Sequence, residues 1–406
     1  MLFRKIALAG AFALMGSTAM AACAFQNEVP LKSLSAGFEA WKAVTDAMAE
    51  CGNFSAELDQ EFKTKQPEAF AARPSLYHIG GVANETIVPL VNAGTIRPLD
   101  DLVAKYGQNL QPGQLIKIDG QTMAIAMMVN TQHLMYRKDI LDELGIAVPT
   151  TYDELLAAAE QVKASGKVAY PLGGTYKAGW NLAQDFINMF MGSGQPIVND
   201  DGSANVNNET GVRTLEMMKA LSAHMDPEFL GADSTVVQQQ FQGGRIAMAN
   251  FWASRGSAMD DPAESQVVGK VAGAPTPSIV EGGAPATTLW WDGIVIARNI
   301  TDAEADAAFR VAMEGLDREM VAANNDDAVW LIEGYRPGAM AQAAIATAST
   351  TPPPVSYPST TAQGLMHGAI GSQAAAFFTG EKSAEDTLAA IEAAYATAAA
   401  EAGVMN

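Results

Sequence analysis

The feature that most constrains this chain is a change of period near its middle. Residues 123–129 form an unbroken apolar run, about the length of one buried strand and far short of the ~18 apolar residues that cross a bilayer. Leu134-Met135-Tyr136-Arg137-Lys138-Asp139-Ile140 follows, then Gly145-Ile146, then Pro149-Thr150-Thr151-Tyr152-Asp153-Glu154-Leu155. The last run opens a helix that ends at Gly166. Thr151 is its N-cap, Glu154 completes a capping box, and Leu155, Ala159 and Val162 recur at helical spacing.

The same alternation runs along the chain. Strands are predicted over 31–36, 76–79 (stopped by Gly80-Gly81), 168–172, 267–274 and 294–297. Helices are predicted over 38–50 and 210–224, and a last helix is capped by Ser383 with Asp386, its apolar face formed by Leu388, Ile391 and Tyr395. Residues 87–91 fit either element. Strands alternating with helices imply an α/β fold with parallel-rich sheets covered on both faces. A length of 406 residues suggests two domains or lobes.

The first residues read as an export signal. Arg4 and Lys5 precede an apolar stretch over 6–15, and Ala19-Met20-Ala21 is a small-residue cleavage pattern. The leader is therefore 1–21 and the expected compartment the periplasm. Cys23 raises a lipid-anchored alternative, but Met20-Ala21-Ala22 fits lipidation poorly. In an oxidising compartment the only two cysteines, Cys23 and Cys51, read as a disulfide. A strand and the helix returning beside it would bring them to the same end.

Charge narrows the partners. The formal net charge is −20, and removing Arg4 and Lys5 with the leader makes it −22. Such a chain repels phosphate backbones and anionic membrane surfaces. No G-x-S-x-G elbow, P-loop or dinucleotide fingerprint is present. The four histidines, His78, His133, His224 and His367, lack metal-ligand spacing. No catalytic residue, cofactor or metal is expected.

Several segments, in order, resemble the family 1 extracellular solute-binding proteins, soluble receptors that feed ABC importers. The central run quoted above resembles the family's lobe-crossing segment. Asn92-Ala93-Gly94-Thr95-Ile96-Arg97-Pro98-Leu99-Asp100-Asp101-Leu102 resembles its G-x-I-x-P-L-D segment. Phe241-Gln242-Gly243-Gly244-Arg245-Ile246-Ala247-Met248 is similar to F-x-x-G-x-x-A-M, with Phe251-Trp252 beyond it. Residues 268–277 resemble its V-G-x-x-P-x-P crossover, and Gly380-Glu381-Lys382-Ser383-Ala384-Glu385-Asp386 its final helix start. The resemblance covers most of the chain and is weakest before residue 75. It implies two α/β lobes joined by about three hinge crossings, a ligand cleft between them, a monomer, and an inner-membrane permease as partner. The lobes would be 22–128 with 280–330, and 129–279 with 331–406. The implied ligand is a sugar, oligosaccharide or polyol, with a cationic amine or acidic solute as rivals. A secreted carbohydrate-active enzyme is the rival from another class.

Candidate ligand contacts follow from this placement. Trp252 stands at a strand end where an indole face can cover a pyranose. Trp290, Trp291 and Asp292 sit in a predicted loop; two adjacent tryptophans cannot share one face of a strand, and Asp292 can accept hydroxyl or ammonium protons. Tyr176 and Trp180 belong to a glycine-bounded loop. Ser35 and Phe38 end the first strand, and His78 and Asn84 the third. Asn130 stands at the lobe crossing, and Arg336 and His367 complete the set.

Overall fold

The structure is a computed structural model that describes residues 23–404; the leader read over 1–21 lies outside them. The chain first lays down β1 (Leu31–Ser35), β2 (Phe54–Leu58), β3 (Ile79–Ala83), β4 (Leu115–Ile118) and β5 (Gln121–Asn130). It then crosses at Thr131 and builds β6 (Gln132–Arg137), β7 (Tyr170–Gly173), β8 (Ile246–Trp252) and β9 (Val271–Ala274) in a second sheet. It returns for β10 (Thr288–Ile296) and β11 (Val329–Trp330), and β12 (Val355–Ser356) pairs with the start of β10. The first sheet runs β11-β5-β10-β3-β1-β2, with β4 beside β5; the second runs β7-β8-β6-β9.

The sheets are mixed rather than parallel-rich. β1 pairs in parallel with β2 and β3, and β7 with β8, as strand–helix–strand connections require. The strands beside the crossings are antiparallel: β10 with β3 and β5, and β6 with β8 and β9. The chain leaves and re-enters each sheet at the same end, the end that faces the other sheet, so the strands on either side of a crossing run in opposite directions.

Local chemistry explains the elements. Thr151 Oγ1 accepts from the Glu154 backbone N–H at 3.2 Å while Glu154 takes the Thr151 N–H at 3.3 Å, starting the helix Tyr152–Ser165. Gly166, at φ 65°, ends it in the left-handed conformation that glycine adopts without strain. Ser383 caps the helix Ala384–Glu401, which buries Leu388, Ile391 and Tyr395 as its pattern predicts. The first core packs Trp41, Val44 and Met48 of helix Glu39–Ala49 against its sheet, and the second packs helices Trp180–Met191 and Ala384–Glu401.

Two sequence boundaries move. Gly80-Gly81, read as a stop, lies inside β3. A Cβ on Gly81 would stand 2.4 Å from the Ser35 Cβ and 2.7 Å from the Trp41 ring, so the glycine marks a close approach within a strand. Trp290, Trp291 and Asp292, read as a loop, are inside β10. Cys23 and Cys51 are bonded, with Cα atoms 5.0 Å apart; a sulfur held in that bond cannot also carry a thioether lipid. Among the described residues no helix is long and apolar enough to cross a membrane.

Candidate functional site

A cavity of about 380 Å³ opens between the two sheets, within the range of small-molecule sites. It forms where the carboxyl ends of β1, β3, β5 and β8 meet the amino end of β10. Ala36 and Phe38 follow β1, Glu85 follows β3, and Asn130 ends β5. Trp252 ends β8, with Ser254 and Arg255 just beyond. Trp290 and Asp292 project from β10. Helix starts supply Phe62 and Lys63, Trp180 and Asn181, and Ser234 with its cap Asp233.

Six of the thirteen predicted contacts therefore converge: Trp252, Trp290, Asp292, Trp180, Phe38 and Asn130. Trp252 and Trp290 meet edge to face, centroids 6.1 Å apart at 89°. Trp290 lies 4.1 Å from Tyr357 and donates its indole N–H to Thr288 Oγ1 at 2.9 Å, which fixes the ring. Asn130 Nδ2 donates to Ser254 Oγ at 3.2 Å.

The other seven lie elsewhere. His78 precedes β3 instead of ending it, because the strand begins three residues later than its apolar run suggests. Its Nδ1 accepts the Lys32 N–H at 3.1 Å, and its Nε2 lies 3.9 Å from Glu304, at the sheet's opposite end. Trp291 points to the other face of β10, against the core of Phe70, Val82 and Ile87, as strand alternation demands. Asn84 is buried and structural: it takes the Trp291 N–H at 2.8 Å and donates to the Tyr357 carbonyl at 3.1 Å. Ser35 is buried beneath the glycines of β3. Tyr176 turns inward, its ring edge-on to Phe229 and Phe378. Arg336 is exposed, its backbone tied to Asn325. His367 is buried one layer behind Trp180, bonded through Nδ1 to the Tyr357 hydroxyl at 2.9 Å and through Nε2 to the Trp180 carbonyl at 3.0 Å.

Charged groups were the main omission. Lys63, Glu85, Lys177, Asp233 and Arg255 line the cavity. Lys177 pairs with Asp233 at 3.3 Å. Arg255 Nη1 donates to the neutral Gln238 Oε1 at 3.0 Å. Burial pushes the Lys63 and Arg255 pKa values down; Glu85 and Glu61 oppose this at Lys63, and Asp233 and Glu39 at Arg255. Asp292 reaches the cavity surface but is enclosed by protein, and desolvation pushes its carboxyl up to about 7, with the Trp41 N–H opposing. Asp185, behind the second sheet beside Thr175, is also raised by desolvation to about 7.

These two carboxyls set a pH dependence. Their folded-state pKa values exceed the unfolded value of ~3.9, so the folded chain holds more protons between about pH 4 and 7 and stability falls as pH rises through that window. Both groups are partly exposed, so we expect about 1 kcal/mol from each. Asp317, also raised by desolvation to about 6, acts with them. His78, His133 and His367, lowered by desolvation, act against them over the same window. The Asp292 contribution is therefore a difference: the wild type should gain melting temperature relative to Asp292→Asn as pH falls from 7.5 to 5. A difference between wild type and Asp292→Asn that does not change between pH 7.5 and pH 5 would contradict the assignment.

The site has flat apolar faces with hydrogen-bonding groups at their edges, so it is equipped to hold a ligand. A model of the bacterial extracellular solute-binding proteins matches residues 74–313. The chain belongs to this family. A probable sugar-binding periplasmic protein of Mesorhizobium japonicum is 25% identical over 158 residues, 36% of this chain and 37% of that protein. A multiple sugar-binding protein of Streptococcus mutans is 32% identical over 66 residues, 16% of this chain and 15% of that one. The matches thus span 37% and 15% of these curated relatives' own length. Among solved structures, a solute-binding protein of Agrobacterium radiobacter K84 in complex with ribitol superposes with TM-score 0.79 at 20% identity, covering 90% of this chain and 98% of that one. One from Agrobacterium vitis S4 with bound D-mannitol gives 0.77 at 18% identity over 92% and 99%. A maltose-bound T. maritima protein gives 0.76 at 19% identity over 90% and 99%. These likenesses establish the two-lobed α/β fold of solute-binding proteins for the chain.

Proposed function

We propose that this solute-binding protein captures a carbohydrate (a sugar, oligosaccharide or polyol) in the periplasm and delivers it to an ABC importer. The observation that carries the reading is the pair of perpendicular indoles, Trp252 and Trp290, beside Asp292 in the cavity between the sheets. An indole face covers the apolar C–H face of a sugar, and Asp292, Asn130 and Asn181 take its hydroxyls. The sugar-binding names of the curated relatives and the ribitol, mannitol and maltose of the fold relatives support this ligand class. The mechanism is differential binding: contacts from both lobes favour the closed form, which the permease reads, and no covalent step occurs. We assign the lobes as 22–128 with 280–330 and 129–279 with 331–406. The partition of the sheets supports that division except at the end of β5 (Val129, Asn130) and at β12, which pair within the first sheet. The packing of the last helices against the second core also supports it. Leader cleavage after Ala21 would deliver a monomer to the periplasm.

One observation favours a second reading. Arg255 and Lys63, neither within 4.0 Å of a carboxylate among the described ion pairs, would welcome an acid-bearing sugar. A thermal-shift series with mono- and oligosaccharides, polyols, sugar acids and quaternary amines tests both. A ligand at about 100 times its Kd contributes ~2.7 kcal/mol, so a carbohydrate should raise the melting temperature by several degrees. A shift with amines alone would reject the carbohydrate reading. A preference for the acid that fades with salt would favour the second reading, and turnover of a glycoside by purified protein would overturn the receptor assignment.

A further inference from the structure

Trp180, the first residue of helix Trp180–Met191 in the second lobe, is held from the first lobe. Its indole N–H donates to Glu85 Oε2 at 2.5 Å, and Lys63 Nζ stands 4.2 Å over its ring. Glu85 lies in the turn after β3 and Lys63 in helix Phe62–Ala71, so both belong to the first sheet's half. The His367 ring stacks on Trp180 with centroids 4.9 Å apart at 24°. A cation 4.2 Å above one face and a ring stacked at 4.9 Å cannot share that face. The indole is therefore sandwiched, with its N–H also engaged. Lys63, His367 and Glu85 already engage the indole that a sugar would have to stack on.

We propose that Trp180 is a clasp instead of a ligand platform: with Glu85 and Lys63 it joins the two lobes directly and biases the cleft towards closure before ligand arrives. The bond is charge-assisted and half-buried, which places it among the stronger hydrogen bonds, and the ammonium over the indole adds a cation–π contact. The His367 ring, fixed by the Tyr357 hydroxyl and the Trp180 carbonyl, backs the indole from its own lobe. These are positioning residues. They act on affinity by raising the fraction of protein in the binding-competent closed form. That consequence rests on the receptor reading; the effect on shape does not.

Small-angle scattering of the ligand-free mature protein tests the clasp. The ligand-free wild type should be more compact than the variants below, and saturating ligand should lower its radius of gyration by less than it lowers theirs. Glu85→Ala and Trp180→Phe should each raise the radius by about 1 Å, as hinge opening requires. Glu85→Gln, which keeps an acceptor oxygen, should fall between. The double variant should open no further than either single one, because both remove the same bond. In titrations, each single variant should weaken every ligand by one common factor, up to about tenfold. Unchanged radii in variants that still melt cooperatively would overturn the proposal. So would additive effects in the double variant, or a loss at Trp180→Phe confined to particular ligands. If the wild type binds none of the carbohydrates offered, the carbohydrate reading fails while the radii still decide the clasp.

Discussion

Reduction of the Cys23–Cys51 bond should lower the unfolding free energy by about 3–4 kcal/mol. The bond closes a loop of 28 residues, and the chain entropy it removes from the unfolded state gives that magnitude. The native geometry supports the full effect. Cys51 is fully buried just beyond helix Glu39–Ala49. The segment leading from Cys23 is stitched alongside: the Asn27 N–H donates to the Cys51 carbonyl at 2.7 Å, and the Leu31 N–H to the Asn53 carbonyl at 2.8 Å. Without the bond this segment and β1, the strand that pairs with both β2 and β3, lose their tether. The melting temperature should fall by about 5–10 °C in reductant, and Cys23→Ala with Cys51→Ala should reproduce the fall without it. Thiol labelling of the native, non-reduced protein should find no reactive cysteine. Labelling of two thiols in that sample, or a melting temperature indifferent to reductant, would refute the claim.

What was legible in the sequence is what local chemistry determines. The Thr151–Glu154 and Ser383 caps, the glycine stop at Gly166 and the apolar faces of the helices depend on residues three or four apart, and they appear as read. Strand direction did not follow from local pattern, because β5 and β10 are set antiparallel by a crossing more than a hundred residues long. Strand position failed at β3, where glycines that look like a stop are needed for backbone to pass Trp41 and Ser35. That error of a few residues carried His78 from the predicted cleft to the opposite sheet end. The aromatic contacts were partly visible, since a tryptophan at a strand end is conspicuous. Lys63, Glu85, Lys177, Asp233 and Arg255 were not: each looks like an ordinary surface charge in its own segment. They become a site only when two lobes face one another. Arg336, a candidate contact by sequence, lies exposed outside the cavity, and Arg255 is the arginine that the fold brings to it.

Trp252→Ala should weaken carbohydrate binding between tenfold and a hundredfold, about 1.4–2.7 kcal/mol. The residue ends β8 beside the crossing at Thr131, paired with Gln132 of β6, so the indole stands where the lobes approach. Its edge-to-face contact with Trp290 presents two perpendicular apolar walls; removing one exposes the bound sugar's C–H face to water and frees its orientation. Trp252→Phe keeps a smaller face and should lose less. Two neighbours separate stacking from general damage. Trp290→Ala should lower stability as well as affinity, because that ring packs on Tyr357 and donates to Thr288. Trp291→Ala should leave affinity unchanged, because its ring lies on the opposite face of the same strand. Titration calorimetry of the four variants, each checked by its melting curve, decides the matter. An unchanged dissociation constant for Trp252→Ala would remove the stacking wall from the site. A loss at Trp291→Ala equal to that at Trp252→Ala would show that the perturbation travels through β10 and not through contact with the ligand.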